Sequence, residues 1–439
     1  MPNWVEHAVF WHVYPLGFTG AERQLRTEPG VVHRLPQLVA WLDYAVELGA
    51  SALLLAPIFQ STSHGYDTTD YFRIDPRLGD EADFDALIVA AHGRGLRVVL
   101  DGVFNHVGRD FPAFRRAIGE GPQAHEASWF HIDLDKRLPD GEPEYATFEG
   151  HQQLPALNHD EPAVADLVTD VMRHWLARGA DGWRLDAAYA VSCTFWANVL
   201  PRVREDFAEA YIFGEVIHGD YAGFVRDTTV DAVTQYELWK AIWSSIKDRN
   251  FFELAWTLQR HNTWLDTFVP LTFVGNHDVT RIATEIADQR HLPHALVILF
   301  TCAGTPCIYY GDEQAFRGLK EARAGGDDAI RPAFPAAPAD LAPFGWPIYR
   351  HHQDLIGLRR RHSWLHRARS HTLSLANTQF VYECVDRDRR ITVALNLGEE
   401  ILVVQDAEQL PKLAGSDGVG NNSGEWHIPG HGWAVFGQT

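Results

Sequence analysis

Four short segments of this sequence close an apolar run with residues able to do acid–base or nucleophilic chemistry. They are DGVFNH (101–106), GWRLDAA (182–188), GEV (214–216) and FVGNHD (273–278). A single carboxylate ending an apolar strand is ordinarily a helix cap or a surface turn. Four in succession are better explained by one shared cavity. Arg184 and Asp186 are two residues apart, so on a strand both face one side while Trp183 and Leu185 face the other. An Asp beside an inward Arg is expected to keep its charge, as a nucleophile requires. Glu215 ends the next apolar run among other carboxylates, which favours the form that carries a proton. Two carboxyls driven apart in this way make the pair used to cleave a glycosidic bond. Spacing alone leaves a structural ion-pair network as the competing reading.

Holding such residues at one place takes a repeating scaffold, and the pattern supplies one. Strand-like runs fall at 8–14, 51–57, 96–103, 181–186, 211–215, 231–235, 269–274 and 306–310. Between them, Leu35, Leu38, Val39, Leu42 and Val46 recur at helical spacing until Gly49. Phe84, Leu87, Ile88 and Ala91 mark another helix, stopped by Gly93 and Gly95. Pro162 opens a third, with Val164, Leu167, Val168, Val171 and Trp175 on one face. Alternating units imply an α/β fold with a parallel sheet covered by helices. Eight units predict a closed (β/α)8 TIM barrel over residues 1–106 and 158–362, with the chemistry at the C-terminal ends of the strands. No GxGxxG follows the first strand, which weakens an open dinucleotide-binding sheet. Residues 107–157 are polar, carry Gly and Pro, and show no sustained period. They predict a short excursion after the third strand, an inserted domain B. From 363 to 439 the pattern changes to hairpin-like runs, QFVYECV (379–385) and ITVALNL (391–397) about a charged turn. A C-terminal antiparallel β domain is expected there.

Taken in order and separation, the four polar segments resemble the ordered regions of the α-amylase family of glycoside hydrolases. ASALLLAPIF, GYDTTDY and GTPCIYYGDE are similar to the second strand, the loop after it, and the eighth strand of that family. The resemblance covers roughly residues 8–360. It implies a double displacement with Asp186 as nucleophile, Glu215 as general acid/base and Asp278 as the third carboxylate, which grips sugar hydroxyls. It also implies that Arg184 orients Asp186, that His106 and His277 bond the sugar, and that Tyr66 is a stacking platform. Asp101 and Asn105 look like structural support. Asp67 and Arg331 are expected to form a charge pair that shapes the cavity. Within the family, NHVGRDFPAF, SWFHI, LPALNHDEP, GEVIHGD and YYGDEQAF are similar to the neopullulanase and cyclomaltodextrinase group. The chain departs from that group in three ways. It starts close to the first strand, without the group's N-terminal β domain; it has LPALN in place of MPKLN; and it has Ile217 and Ala190 where Trp and a polar residue are common.

The resemblance implies hydrolysis of short linear or cyclic malto-oligosaccharides, with an α-glucosyltransferase or isomerase of the same family as the alternative. A non-catalytic binding protein would lack these carboxylates. Calcium sites in the family need oxygen ligands from several loops. Asn105 offers one and nothing else is matched, so no metal and no other cofactor is expected. A formal charge of −20 disfavours nucleic acid and anionic membrane and fits a neutral α-glucan oligosaccharide partner. The oligomeric state, monomer or homodimer, is left open. The first residues lack a basic segment followed by an apolar one, and no run reaches the roughly 18 apolar residues of a membrane span. Cys193, Cys302, Cys307 and Cys384 lie in apolar stretches and read as buried free thiols. A cytoplasmic enzyme is expected.

Overall fold

The computed structural model describes residues 1–26, 30–139, 141–323, 325–405, 410–422 and 424–438. Eight parallel strands form the central sheet: β1 (Phe10–Val13), β2 (Ala52–Leu55), β3 (Arg97–Gly102), β4 (Gly182–Leu185), β5 (Tyr211–Gly214), β6 (Ala232–Val233), β7 (Leu271–Phe273) and β8 (Thr305–Tyr309). Neighbours run in chain order, and β1 pairs with β8. The last seam, between β6 and β7, closes through a parallel bridge at Thr234 and Leu271, where the Gln235 N–H donates to the Leu271 carbonyl at 2.9 Å. The sheet is therefore a barrel, as the alternating pattern predicts.

Seven of the eight strands are shorter than the runs that mark them, most of all β6. There the chain turns at once into the helix Tyr236–Lys247, whose Leu238 N–H is capped by the Gln235 side chain. The first predicted helix is split into Leu35–Val39 and Leu42–Leu48. Gly49 ends it in a left-handed conformation (φ 105°) that suits a residue without Cβ. Val46 on that helix is exposed rather than core-facing. Pro162 does open its helix, Pro162–Ala177.

The excursion is less irregular than its composition suggests. It holds the helix Pro112–Glu120 and the antiparallel pair Ile132–Arg137 and Pro143–Tyr145, packed through Phe114, Phe130 and Tyr145. The C-terminal part is antiparallel. A five-stranded sheet contains Arg369–Leu375, Gln379–Asp386, Arg389–Asn396, Trp433–Gly437 and Lys412–Gly415, and a three-stranded sheet contains Leu402–Val404, Glu425–Ile428 and Gly420–Asn422. Arg359 ties the helix Trp346–Arg361 to the carbonyls of Phe300, Cys302 and Gly304. Cys302, Cys307 and Cys384 are buried free thiols. Cys193 is not: it opens the helix Cys193–Asp206 and is only half-buried. Among the described residues no helix is long and apolar enough to cross a membrane.

Candidate active site

Register brings the charged residues together. β3 and β4 pair with Asp101 opposite Arg184 and Val99 opposite Gly182. β4 and β5 pair with Leu185 opposite Gly214, so the next residues up, Asp186 and Glu215, stand side by side at the ends of adjacent strands. Strand spacing is about 4.8 Å. Gly182 allows this approach, because a Cβ there would lie 2.1 Å from the Tyr211 carbonyl oxygen. Trp183 points away and packs against Phe59 and Phe104, as the two-residue alternation requires.

Arg184 is the hub. One of its terminal nitrogens reaches both oxygens of Asp101 at 2.6 and 2.7 Å and Asp186 Oδ1 at 3.0 Å. The other reaches Glu215 Oε1 at 2.8 Å. Glu215 also accepts from the Tyr236 hydroxyl at 2.9 Å and from the Ala187 N–H at 3.1 Å. Ala187 holds φ 44°, a left-handed conformation that costs a residue with a Cβ about 1–2 kcal/mol. Its amide thereby faces Glu215, and the strain sits directly after Asp186.

A second group faces this one. His277 Nε2 contacts Asp278 Oδ2 at 2.9 Å and the Tyr66 hydroxyl, and Tyr66 donates to Asp101 Oδ2 at 2.9 Å. The Tyr66 and His277 rings lie parallel, with centroids 5.3 Å apart. Arg331 reaches Asp278 Oδ1 at 3.0 Å and donates to the His277 carbonyl at 2.9 Å. Asn105 donates to His106 Nδ1 and His106 Nε2–H donates to the Tyr66 carbonyl, both at 3.1 Å. Both ring nitrogens of His106 are thus occupied, and bonding a sugar requires giving up the Tyr66 carbonyl. Burial pushes His106 down to about 3, so the ring is neutral.

Two expectations are corrected. Asp67 and Arg331 do not pair. Asp67 accepts from the Ser63 N–H at 3.1 Å and from its hydroxyl at 2.6 Å, folding its own loop. Arg331 goes to Asp278 and to Asp327, at 3.2 Å, and lies over the Tyr14 ring. The second correction concerns charge. Burial pushes the Asp186 carboxyl well above the usual carboxylate range; Arg184 opposes this, while Glu215 and Asp101 add to it. Asp101 is pushed up by burial in the same way, against Arg184. One guanidinium divided among several carboxylates does not offset the desolvation of Asp101 and Asp186. Asp278 behaves oppositely: burial acts upward, but His277 and Arg331 outweigh it and hold the carboxyl well below the usual range.

A nucleophile must be ionised, so a raised Asp186 moves the acid side of a pH profile upward. The acid limb of kcat/KM, which reports the free protein, is expected above the ordinary Asp value of about 3.9. Asp101→Asn should move it down, since the Asp101 charge is one of the forces raising Asp186. An initial-rate profile over about pH 3–9 checks this. A limb at or below the ordinary value contradicts the assigned burial effect.

Tyr236, Asn276 and Tyr14 were missed as site residues. Asn276 donates to the Tyr236 hydroxyl and accepts from the Asp278 N–H, both at 2.9 Å, so it links the two groups. Asn276 lies inside FVGNHD, and Tyr236 and Tyr14 each follow a strand end, where barrel chemistry sits. That position was the available signal.

A closed barrel whose strand ends carry this set of carboxylates defines a class, and comparison agrees. The model of the α-amylase catalytic domain matches residues 27–379, and the chain belongs to the α-amylase family of glycoside hydrolases. A cyclomaltodextrinase of a Bacillus species is 34% identical over 341 residues, which are 72% of this chain and 61% of that protein. The chain therefore spans only part of that relative's length. The ligand-free cyclic α-maltosyl-(1→6)-maltose hydrolase of Arthrobacter globiformis superposes with a TM-score of 0.83 at 26% identity, covering 100% of both chains. The native debranching enzyme of Nostoc punctiforme gives 0.83 at 27% identity, covering 100% of this chain and 99% of its own.

Proposed function

We propose that this chain is a retaining α-glucoside hydrolase of short linear or cyclic malto-oligosaccharides, cutting α-1,4 links and, in rings that contain them, α-1,6 links. The observation that carries this reading is the shared clamp: Asp186 and Glu215, neighbours in register, are bound by the one guanidinium of Arg184. Retaining enzymes hold their two carboxyls about 5–5.5 Å apart, close to the spacing of adjacent strands, whereas inverting ones stand about 6.5–9.5 Å apart to admit a water.

Asp186 attacks the anomeric carbon while Glu215 gives its proton to the glycosidic oxygen, and the leaving sugar departs as an alcohol. Glu215, now a carboxylate, takes a proton from water; the hydroxyl bonds to the same carbon and Asp186 leaves. Two inversions restore the α configuration. Asp278, held ionised by His277 and Arg331, accepts hydrogen bonds from sugar hydroxyls and favours the positive character of the transition state. Arg184, Tyr236 and the Ala187 N–H keep Glu215 in place throughout.

The names of similar proteins support the substrate class. They are named for cyclomaltodextrins, for a cyclic maltosyl-maltose and for debranching. The expected result is a higher kcat/KM on maltotetraose and cyclic dextrins than on soluble starch, compared on an equal-site basis. Starch ahead by tenfold, about 1.4 kcal/mol of transition-state preference, contradicts it.

A further inference from the structure

Where the barrel meets the C-terminal β domain, three metal-ligating side chains that no step above uses come together. An oxygen of Asp288 and one nitrogen each of His291 and His431 lie within 4.8 Å of one another. Asp288 caps the single helical turn Gln289–His291, which leads into the helix Leu292–Thr301 before β8. His431 comes from the turn ahead of the last strand, Trp433–Gly437. The two histidines are 140 residues apart in the chain, so spacing gives no sign of them.

Three features suit this cluster to an ion. His291 Nε2 and His431 Nδ1 are 2.9 Å apart. Nitrogens on one tetrahedral zinc, each ~2.0–2.1 Å from it, stand ~3.3–3.4 Å apart, so the rings need part by only about half an ångström. The far nitrogen of His431, Nε2, faces Glu399 Oε1 at 3.0 Å. A carboxylate only accepts, so the His431 proton sits on Nε2 and the Nδ1 lone pair is turned toward His291. Metal-ligating histidines are oriented by carboxylates in this way. The third feature is a fixed backbone. His431 holds φ 61°, a left-handed conformation uncommon in residues with a Cβ, and its N–H donates to the Gly398 carbonyl at 3.0 Å. His294, one turn along from His291, contacts the carbonyls of Asn396 and Gly432 at 3.2 and 3.0 Å and holds the same part of the β domain against the barrel.

We propose that Asp288, His291 and His431 form a zinc site that staples the C-terminal β domain to the barrel, with water as the fourth ligand. Two imidazoles and a carboxylate favour zinc over calcium or magnesium, which take oxygen donors. On binding, the proton on His291 moves from Nε2 to Nδ1, so that His291 Nε2 and His431 Nδ1 both give lone pairs to the ion. Arg290 competes for the carboxylate: its guanidinium meets both Asp288 oxygens at 2.7–3.1 Å. That side chain is more than half exposed, and a carboxylate keeps lone pairs for an ion beside it. An ion bound by the folded chain alone adds stability by mass action.

The test is calorimetric titration of zinc chloride into the full chain, stripped of metal with a chelator and dialysed at neutral pH. One equivalent is expected to bind and to raise Tm. Asp288→Asn and His431→Asn are each expected to weaken that binding by at least about tenfold, since even an outer partner of a metal ligand is worth that much, and to abolish the rise in Tm. Asn keeps the cap at 288 and tolerates the left-handed backbone at 431, so both variants retain the fold. Arg290→Gln is expected to tighten binding by removing the competing cation. Zinc bound equally by the native chain and both Asn variants sits on other histidines of the 23 and overturns the site. No binding by the native chain leaves only a hydrogen bond between the two rings and overturns it as well. Binding left unchanged by Arg290→Gln contradicts Asp288 as a ligand.

Discussion

Asp186→Asn and Glu215→Gln each lower kcat on a malto-oligosaccharide by about four orders of magnitude or more, since members of a catalytic set that acts as a unit cost that much singly. Each change removes a charge or a proton used in the reaction and keeps the shape of the side chain, so the fold survives. Asp186→Asn should also raise Tm. A carboxyl whose folded-state pKa lies above its unfolded value binds its proton more tightly when folded. Its contribution to stability is fully present below the unfolded value of about 3.9 and is lost as pH rises through the raised folded value. Near neutrality the buried Asp186 is therefore a cost that an uncharged amide relieves. The loss of turnover and a gain of roughly 1–3 °C belong together, as in other sites where stability is given up for activity. Near-native turnover in either purified variant, or a lowered Tm in Asp186→Asn, contradicts the roles given to these residues.

Arg184→Met has the largest expected effect on stability. It leaves Asp101, Asp186 and Glu215 buried with no guanidinium between them. Removing one partner from a buried ionic cluster costs about 3–5 kcal/mol. Denaturant unfolding at neutral pH should show a loss of that size, shrinking as pH falls and the carboxyls take up protons. Arg184→Lys should recover little, because a single ammonium cannot span three carboxylates as the planar fork does. Unchanged unfolding of Arg184→Met at neutral pH contradicts the hub assignment.

The barrel was legible because its strands are continuous apolar runs such as SALLLAP and LRVVLDGV, buried on both faces and set off by Gly-ended helices. The carboxylates were legible because parallel strands repeat the same geometry, so residues ending successive runs must converge. What spacing could not reveal was the number of partners each charge would have. Arg184 and Asp186 read as a pair, yet burial, with Glu215 and Asp101 adding to it, outweighs an Arg184 that faces three carboxylates, and the Asp186 shift runs upward. Asp67 and Arg331 read as partners because both lie in loops at one end of the barrel. The short turn at Ser63 satisfies Asp67 locally, and Asp278 competes better for Arg331. Tyr236 and Asn276 escaped notice because neither is charged at neutral pH, although both bridge the two charged groups.

The double displacement itself is tested most directly by the configuration of the first product. Proton NMR of a fresh digest of maltotetraose or a cyclic dextrin, recorded before mutarotation, resolves the two anomers. Initial release of the α-anomer is the expected result, since attack by Asp186 and then by water inverts the carbon twice. Initial release of the β-anomer contradicts it, and would mean that water, not Asp186, attacks first.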